Sequence, residues 1–245
     1  MALPDPFTPT LKVDLLPEIR QPPRILSKYH ARLTPRLRES IDAYVAARGP
    51  ASLLETIAQE LFVAESPDNG SSEESNTPSY DVHVINAVVM YVGVSAVAQA
   101  GRDSAVASQM VNSAHMDVFV ALARRLRPQG RYMLLNAMAN QLRYPNSHTN
   151  YFSSTLLQLF VKCSDNELIL EQITRVLLER LVVNRPHPWG LMITFIELVK
   201  NNKQYNFWSH SFTVSDPEVR RLVESVARSC VGPAQLNNIP TGSAK

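Results

Sequence analysis

Apolar side chains recur at intervals of three and four residues along most of the 245 positions of this chain. In residues 165–183 these positions are Ile169, Ile173, Val176, Leu177 and Leu181. Such spacing predicts amphipathic α-helices, and each apolar stripe must be buried against a neighbour. The pattern confines the chain to helix-on-helix architectures, so we expect an all-α fold.

Proline, glycine and capping residues mark where these helices begin and end. Thr34 before Pro35 combines a capping side chain with a proline at the first helical position, which predicts a helix start. Ser164 and Glu167 have the spacing of a capping box ahead of residues 165–183. The last helix is expected to begin near Asp216. Its predicted buried positions are Val219, Leu222, Val223 and Val226.

Short turns between about nine predicted helices indicate antiparallel neighbours, because a short connection cannot cross the fold. Residues 82–100 are apolar almost all round, as expected of a central buried helix. We predict a HEAT-like stack of antiparallel helical hairpins, a degenerate helical repeat without exact sequence repetition. Residues 11–230 form the predicted single scaffold domain.

Three segments fall outside this helical pattern. Residues 1–10 are predicted to be a flexible lead-in, and the proline-rich arm that follows is apolar enough to lie against the helical body. Residues at about 66–79 are rich in Pro, Asp, Asn, Gly, Ser and Glu, which predicts a disordered loop. Residues 231–245 contain proline and glycine and are expected to form a flexible tail.

Several classes of function lack support in the sequence. No glycine-rich phosphate loop, nucleophile elbow, paired-histidine helix or cysteine cluster is present, so we expect no catalytic residue, cofactor or metal ion. Two cysteines give no disulfide framework, which fits a reducing compartment. The apolar run at 82–100 is broken by polar residues and the N-terminus lacks a basic-then-apolar leader, so neither membrane contact nor secretion is indicated.

Two polar connections and one aromatic connection are the candidate sites of partner contact. Residues 140–148 and 184–190 are dense in hydrogen-bonding groups, which can either satisfy helix ends or recognise a partner's backbone. Residues 205–208 are rich in aromatic side chains, which can close one end of the stack or bind a peptide. The candidate partner-binding residues are Tyr144, Asn146, His148, Arg185, His187, Trp189, Tyr205 and Trp208.

A basic cluster offers an alternative function. Its members are Arg124, Arg125, Arg127 and Arg131. Guanidinium groups can contact phosphates, so the alternative to a protein scaffold is a helical-repeat module that binds RNA. No aromatic residues alternate with these arginines to stack on bases, and the formal net charge is only +2. We therefore do not expect direct RNA contact.

Four stretches of the sequence carry a family resemblance. They are VDLLPEIRQPPRI at 13–25, the residues from 136 to 148, those from 172 to 190, and Phe207-Trp208 with the final helix. In these stretches, and over most of residues 7–230, the chain resembles the C-terminal homology domain of the large scaffold subunit of the CCR-NOT deadenylase complex. Residues 66–79 and the tail beyond 232 match nothing in that family pattern.

The resemblance implies a function without catalysis in this chain. It implies a HEAT-like domain of a far longer protein that docks a heterodimer of two NOT-box subunits, whose extended segments wrap across its surface. It also implies docking of short linear motifs from RNA-binding repressor proteins. The setting would be messenger-RNA deadenylation and translational repression in the cytoplasm, including mRNA-processing bodies, with a nuclear pool.

Overall fold

The computed structural model describes residues 31–63, 79–100, 112–184 and 186–231. The predicted lead-in, all but Val231 of the predicted tail at 231–245, almost all of the proline-rich arm and residues 66–78 of the predicted loop lie outside these ranges. The buried apolar side chains of the described residues form one continuous core. The predicted all-α architecture is confirmed.

The elements are numbered along the chain. The helices are α1 (Pro35–Ala47), α2 (Ser52–Gln59), α3 (Val82–Ala100), α4 (Ala114–Arg125), α5 (Pro128–Ala139), α6 (Ser147–Lys162), α7 (Glu167–Val183), α8 (Trp189–Lys200), α9 (Asn202–Tyr205), α10 (Ser211–Val214) and α11 (Pro217–Val231). A short 3-10 helix, Phe207–Ser209, lies between α9 and α10. Two short strands are β1 (Phe62–Val63) and β2 (Ser79–Tyr80).

Helix α1 begins where the sequence predicts. The Thr34 hydroxyl accepts a hydrogen bond from the Leu37 amide at 3.1 Å, and Pro35 occupies the first helical position. The helix ends at Arg48, which adopts a left-handed backbone conformation with φ of 54°. Helix α2 follows and packs against α1, so this pair is the helical hairpin expected from the sequence.

The two strands are a feature that the sequence did not predict. They pair antiparallel, with Phe62 opposite Tyr80 and Val63 opposite Ser79. Ser79 was expected to lie in the disordered loop, and instead its backbone closes this ladder. The Phe62 and Tyr80 rings lie 4.8 Å apart between centroids, so the pairing joins the residues after α2 to those before α3.

The predicted capping box at Ser164 is wrong. Helix α7 begins at Glu167, and its cap residue, Asn166, makes no side-chain capping bond. The Glu167 carboxylate turns to α10, where it lies 2.8 Å from Nδ1 of His210 and accepts bonds from the Ser211 amide and hydroxyl. The Glu167 carboxylate, which the sequence spacing had assigned to a capping box, therefore binds the start of another helix, α10.

Burial on the last helix differs from the prediction at one position. Val223 and Val226 of α11 are buried, and Val219 is partly buried, as expected. Leu222 is 45% exposed, because α11 packs on α8 and α10 through the side that carries Val223. The apolar stripe of this helix is therefore narrower than its sequence indicates.

Helices α5 and α7 run parallel, separated in the chain by α6. Gln172 donates to the Pro128 carbonyl at 2.9 Å near the start of both helices, and Arg180 donates to Asn136 at 2.9 Å near the end of both. Helices α6 and α8 are parallel as well, since the Thr194 hydroxyl lies 2.8 Å from that of Ser153 and Gly190 packs on Thr149 one turn earlier. Successive hairpins are thus stacked side by side, which confirms the HEAT-like arrangement.

Helix α3 is the central helix that the sequence predicts. Val88, Val89 and Val92 are fully buried, and α5 and α6 pack on it. By length and composition alone α3 could also cross a bilayer, yet more than half of its most apolar window is buried by protein. Burial by neighbouring helices explains its all-round apolar character.

Candidate functional site

The two polar connections predicted from the sequence meet in space. The Leu191 amide at the start of α8 donates to the Leu142 carbonyl at 3.1 Å. A Cβ on Gly190 would lie 2.4 Å from the Thr149 methyl and 2.8 Å from the Leu142 carbonyl carbon. Only glycine permits this close approach of backbones. Residues 140–148 and 186–190 therefore form one surface region at the same end of α6 and α8.

Asn146 has a structural role within this region. Its side-chain oxygen accepts from the Thr149 amide at 2.8 Å and so caps α6. The Thr149 hydroxyl in turn donates to the Gln141 carbonyl at 2.8 Å, which ties the helix start to the end of α5. The hydrogen-bonding capacity of this connection is thus largely used within the chain.

The sequence had placed His148 in the loop before α6, but the residue lies in the first turn of that helix. Its ring is 3% exposed and packs edge-on against Phe152. Nε2 lies 3.2 Å from the side-chain oxygen of Gln141, whereas Nδ1 has no partner among the described residues. Burial lowers the pKa of His148 to about 4, so the imidazole is neutral at physiological pH.

The second polar connection contributes His187 and Trp189. His187 lies 3.0 Å from the Asn184 carbonyl through Nδ1 and 3.2 Å from the Ser229 hydroxyl through Nε2, which links this turn to α11. Trp189 is partly buried, and its indole N–H is buried without a hydrogen-bond partner among the described residues. Arg185, the other candidate here, lies outside the described residues.

Exposed apolar side chains lie beside this region, at the C-terminal ends of α5 and α7. Tyr144 is 49% exposed, Val182 46% and Val183 80%. The two valines were not among the residues predicted to contact a partner, and the signal for them in the sequence is their position outside the apolar stripe of α7. Together with two arginines they define the α5–α7 end surface. Its members are Arg143, Tyr144, Arg180, Val182 and Val183.

Tyr205 and Trp208 lie at the opposite end of α6 and α8. The Tyr205 ring packs edge-on against Phe160, and the Trp208 indole N–H donates to the Val199 carbonyl at 2.9 Å. Twelve residues of helix separate His148 from Phe160, a rise of roughly 18 Å. Both aromatic candidates are buried and serve to close this end of the stack.

Three of the four clustered arginines are held by side-chain contacts within the protein. Arg124 forms a two-point ion pair with Asp165, at 2.6 and 2.8 Å. Arg125 pairs with Glu55 at 2.8 Å. Arg131 is buried and donates to Gln172 and to the Ala123 carbonyl. In the described part of the chain, Arg127 alone of the four has an exposed guanidinium without a partner, so no joint phosphate-binding face is formed.

No cluster of metal-ligating side chains occurs within residues 31–63, 79–100, 112–184 and 186–231. The two cysteines are buried free thiols, and burial raises the pKa of both. His115 is also buried, with its pKa lowered by desolvation, and its Nε2 contacts the Ser95 hydroxyl. These groups occupy separate positions in the core.

Comparison with known proteins gives concordant matches over most of the chain. Residues 1–227 match the family described as "CCR4-Not complex component, Not1". The chain is 43% identical over 238 residues to the CCR4-NOT transcription complex subunit let-711 of Caenorhabditis elegans, covering 96% of this chain and 9% of that protein. It is 38% identical over 250 residues to the general negative regulator of transcription subunit 1 of Schizosaccharomyces pombe, covering 99% of this chain and 11% of that protein.

Two solved structures share the fold. The NOT1 superfamily homology domain from Chaetomium thermophilum aligns with a TM-score of 0.71 and 32% identity, covering 93% of this chain and 44% of that one. A structure described as the Not1 C-terminal domain in complex with Not4 aligns with a TM-score of 0.66 and 27% identity, covering 92% of this chain and 44% of that one. The chain thus spans less than half of these structures and about a tenth of the curated relatives.

Proposed function

This chain belongs to the Not1 family of CCR4-Not complex components, and we propose on that basis that it is a non-catalytic scaffold domain of the complex. Its partners are the two NOT-box subunits, bound as a heterodimer, and short linear motifs of RNA-binding repressor proteins. Docking of these partners supports mRNA deadenylation and translational repression. The cytoplasm, including mRNA-processing bodies, is the proposed location, with a nuclear pool.

The observation that carries this proposal is the similarity to a Not1 C-terminal domain that was solved bound to another protein, Not4. The chemistry of the described residues is consistent with binding rather than catalysis. Among the described residues, the buried imidazole of His148 contacts the Gln141 amide and no acidic side chain, and three of the four clustered arginines are paired with Asp165, Glu55 and Gln172.

Binding by such a domain follows from its stacked helices. Stacked helices of this kind can present grooves, in which an extended segment can place apolar side chains. A wrapped interface larger than a single pocket supplies affinity through a few buried anchors. The partner segment becomes ordered on binding, which lowers affinity for a given area and favours long contacts.

The proposal is tested by co-purification of the chain with the two NOT-box subunits through size-exclusion chromatography. A stable ternary complex is the expected result. In parallel, fluorescence anisotropy with poly(A) RNA at physiological salt tests the RNA alternative, and no change is expected. Strong RNA binding that Arg127→Glu abolishes, together with failure to assemble, would contradict the scaffold proposal.

A further inference from the structure

We propose that the α5–α7 end surface binds an extended protein segment that carries carboxylate groups next to an apolar side chain. The inference deepens the proposed function, because it specifies one docking surface and the chemistry of its partner. It rests on three observations: the juxtaposition of two helix ends, a pair of neighbouring arginines to which no described carboxylate hydrogen-bonds, and a group of exposed apolar side chains.

The juxtaposition follows from the parallel packing of α5 and α7. Arg180, in the last turn of α7, donates through Nε and an Nη nitrogen to the Asn136 side-chain oxygen, at 3.1 and 2.9 Å. Asn136 is in the last turn of α5, and the chain leaving α5 carries Arg143 and Tyr144. The ends of both helices and the connection after α5 are thus gathered on one face.

Among the described residues, no carboxylate hydrogen-bonds to either arginine of this pair. The Arg180 guanidinium donates to uncharged groups of Asn136. The carboxylate of the adjacent Glu179 is held by Arg175 at 2.7 Å and by Tyr132 at 2.5 Å. The Arg143 side chain is exposed, with no hydrogen bond or ion pair in the described part of the chain. Burial is the main cause of the lowered pKa of Arg180. The neighbouring charge of Arg143 lowers this pKa further, whereas Tyr132 and the Glu179 carboxylate act in the opposite direction. An anion placed between these guanidiniums would relieve their repulsion.

The apolar members lie next to this charge. Val183 follows Arg180 by one helical turn, and 80% of its surface is exposed. Tyr144 is 49% exposed, and among the described residues no ring contact or side-chain hydrogen bond restrains it. Single exposed apolar residues are ordinary, but several together with polar groups at their rim are typical of a protein-binding patch.

A protein segment fits this surface better than RNA does. Two cations give few phosphate contacts, and Tyr144 is the one aromatic face among the five members of this surface, so successive bases would find no second ring on which to stack. A carboxylate forms a two-point hydrogen bond with a guanidinium, while a leucine or phenylalanine of the same segment covers Val183 and Tyr144. Such a partner satisfies the charged and the apolar part of the surface together.

The test uses the 245-residue chain as bait for random peptides displayed on phage. Phage that also bind a chain with Arg143→Glu and Val183→Asp are removed. The recovered peptides are expected to carry Asp or Glu within a few residues of an apolar side chain. In fluorescence anisotropy, amide substitution of those acids and Arg143→Glu alone are each expected to weaken binding by about tenfold or more.

Matched controls separate this surface from general charge and hydrophobicity. Arg127→Glu changes an exposed arginine at the other end of α5, and Val214→Asp changes a 60% exposed valine on α10. Both are expected to leave the peptide's Kd within about twofold. All variants change exposed side chains, so their Tm should match that of the unaltered chain. If the Tm of the double variant is lower, the phage selection is repeated with Arg143→Glu alone.

The inference is overturned when no such peptides are recovered, when they lack acidic residues, or when Arg127→Glu weakens them as much as Arg143→Glu. It is also overturned if the chain binds poly(A) RNA and Arg143→Glu abolishes that binding. The scaffold proposal has a separate readout, assembly with the two NOT-box subunits. Failure of that assembly beside acid-selective peptide binding would contradict the scaffold proposal and leave this surface supported.

Discussion

Substitution of Gly190 by alanine should destabilise the fold by separating the two connections that meet beside α8. A Cβ at this position would lie 2.4 Å from the Thr149 methyl, and 2.8 and 2.9 Å from two backbone atoms of Leu142. The methyl alone could move with its side chain. The Leu142 backbone cannot move without lengthening the 3.1 Å bond from the Leu191 amide.

The expected loss follows from three contributions to the free energy of unfolding. Forcing a methyl group into a packed contact costs about 1–3 kcal/mol. Weakening one partly buried backbone hydrogen bond costs about 1 kcal/mol. The better helix propensity of alanine returns up to about 1 kcal/mol, and less in a first turn. The net destabilisation is about 2 kcal/mol.

Urea unfolding followed by circular dichroism measures this change. Gly49→Ala is the control, because a Cβ there meets nothing within 4 Å, and its midpoint should barely shift. The double variant Gly190→Ala with Thr149→Ser should recover only part of the loss, since the Leu142 contact remains. A Gly190→Ala chain as stable as the unaltered one would refute the argument that backbone proximity requires glycine.

The other predictions concern single side chains. His148 has a folded-state pKa of about 4, below that of the unfolded imidazole. The unfolded state therefore binds the proton first as the pH falls. About 2 kcal/mol of the free energy of unfolding should be lost between about pH 7.5 and about pH 5. NMR titration of this ring near its ordinary pKa in the folded chain would contradict that. Asn146→Ala should cost about 1 kcal/mol in urea unfolding by removing the cap on α6, whereas an unchanged midpoint would show that the cap contributes nothing. Glu167→Gln should cost about 1 kcal/mol by weakening contacts to His210, and Glu171→Gln, on the exposed face of α7, should have little effect in the same assay.

Local signals predicted the helices well. Thr34 and Pro35 mark the start of α1 because capping and proline geometry involve neighbouring residues only. The buried face of α7 follows its apolar spacing, and the central position of α3 follows from its all-round apolar sequence. These features depend on the periodicity of one element.

Long-range partners could not be predicted in the same way. Glu167 had the spacing of a capping residue but binds His210, 43 positions away. Arg124 had the setting of a phosphate ligand but pairs with Asp165, 41 positions away. Leu222 follows the apolar spacing, yet it lies at the edge of the packed face. Each outcome depends on which helices become neighbours, and periodicity within one helix does not carry that information.

The packing of α5 against α7, here called the α5–α7 seam, also has a mechanical consequence. Its contacts join particular polar groups, such as Gln172 with Pro128 and Arg180 with Asn136, near both ends of the helices. Leucines could exchange partners during a slide, but a shift of one turn, about 5.4 Å, would break these bonds together. The distance between the two ends of the seam is therefore fixed. A partner anchored at both ends of the seam must carry a linker that matches that distance, so linker length itself becomes a means of selecting partners.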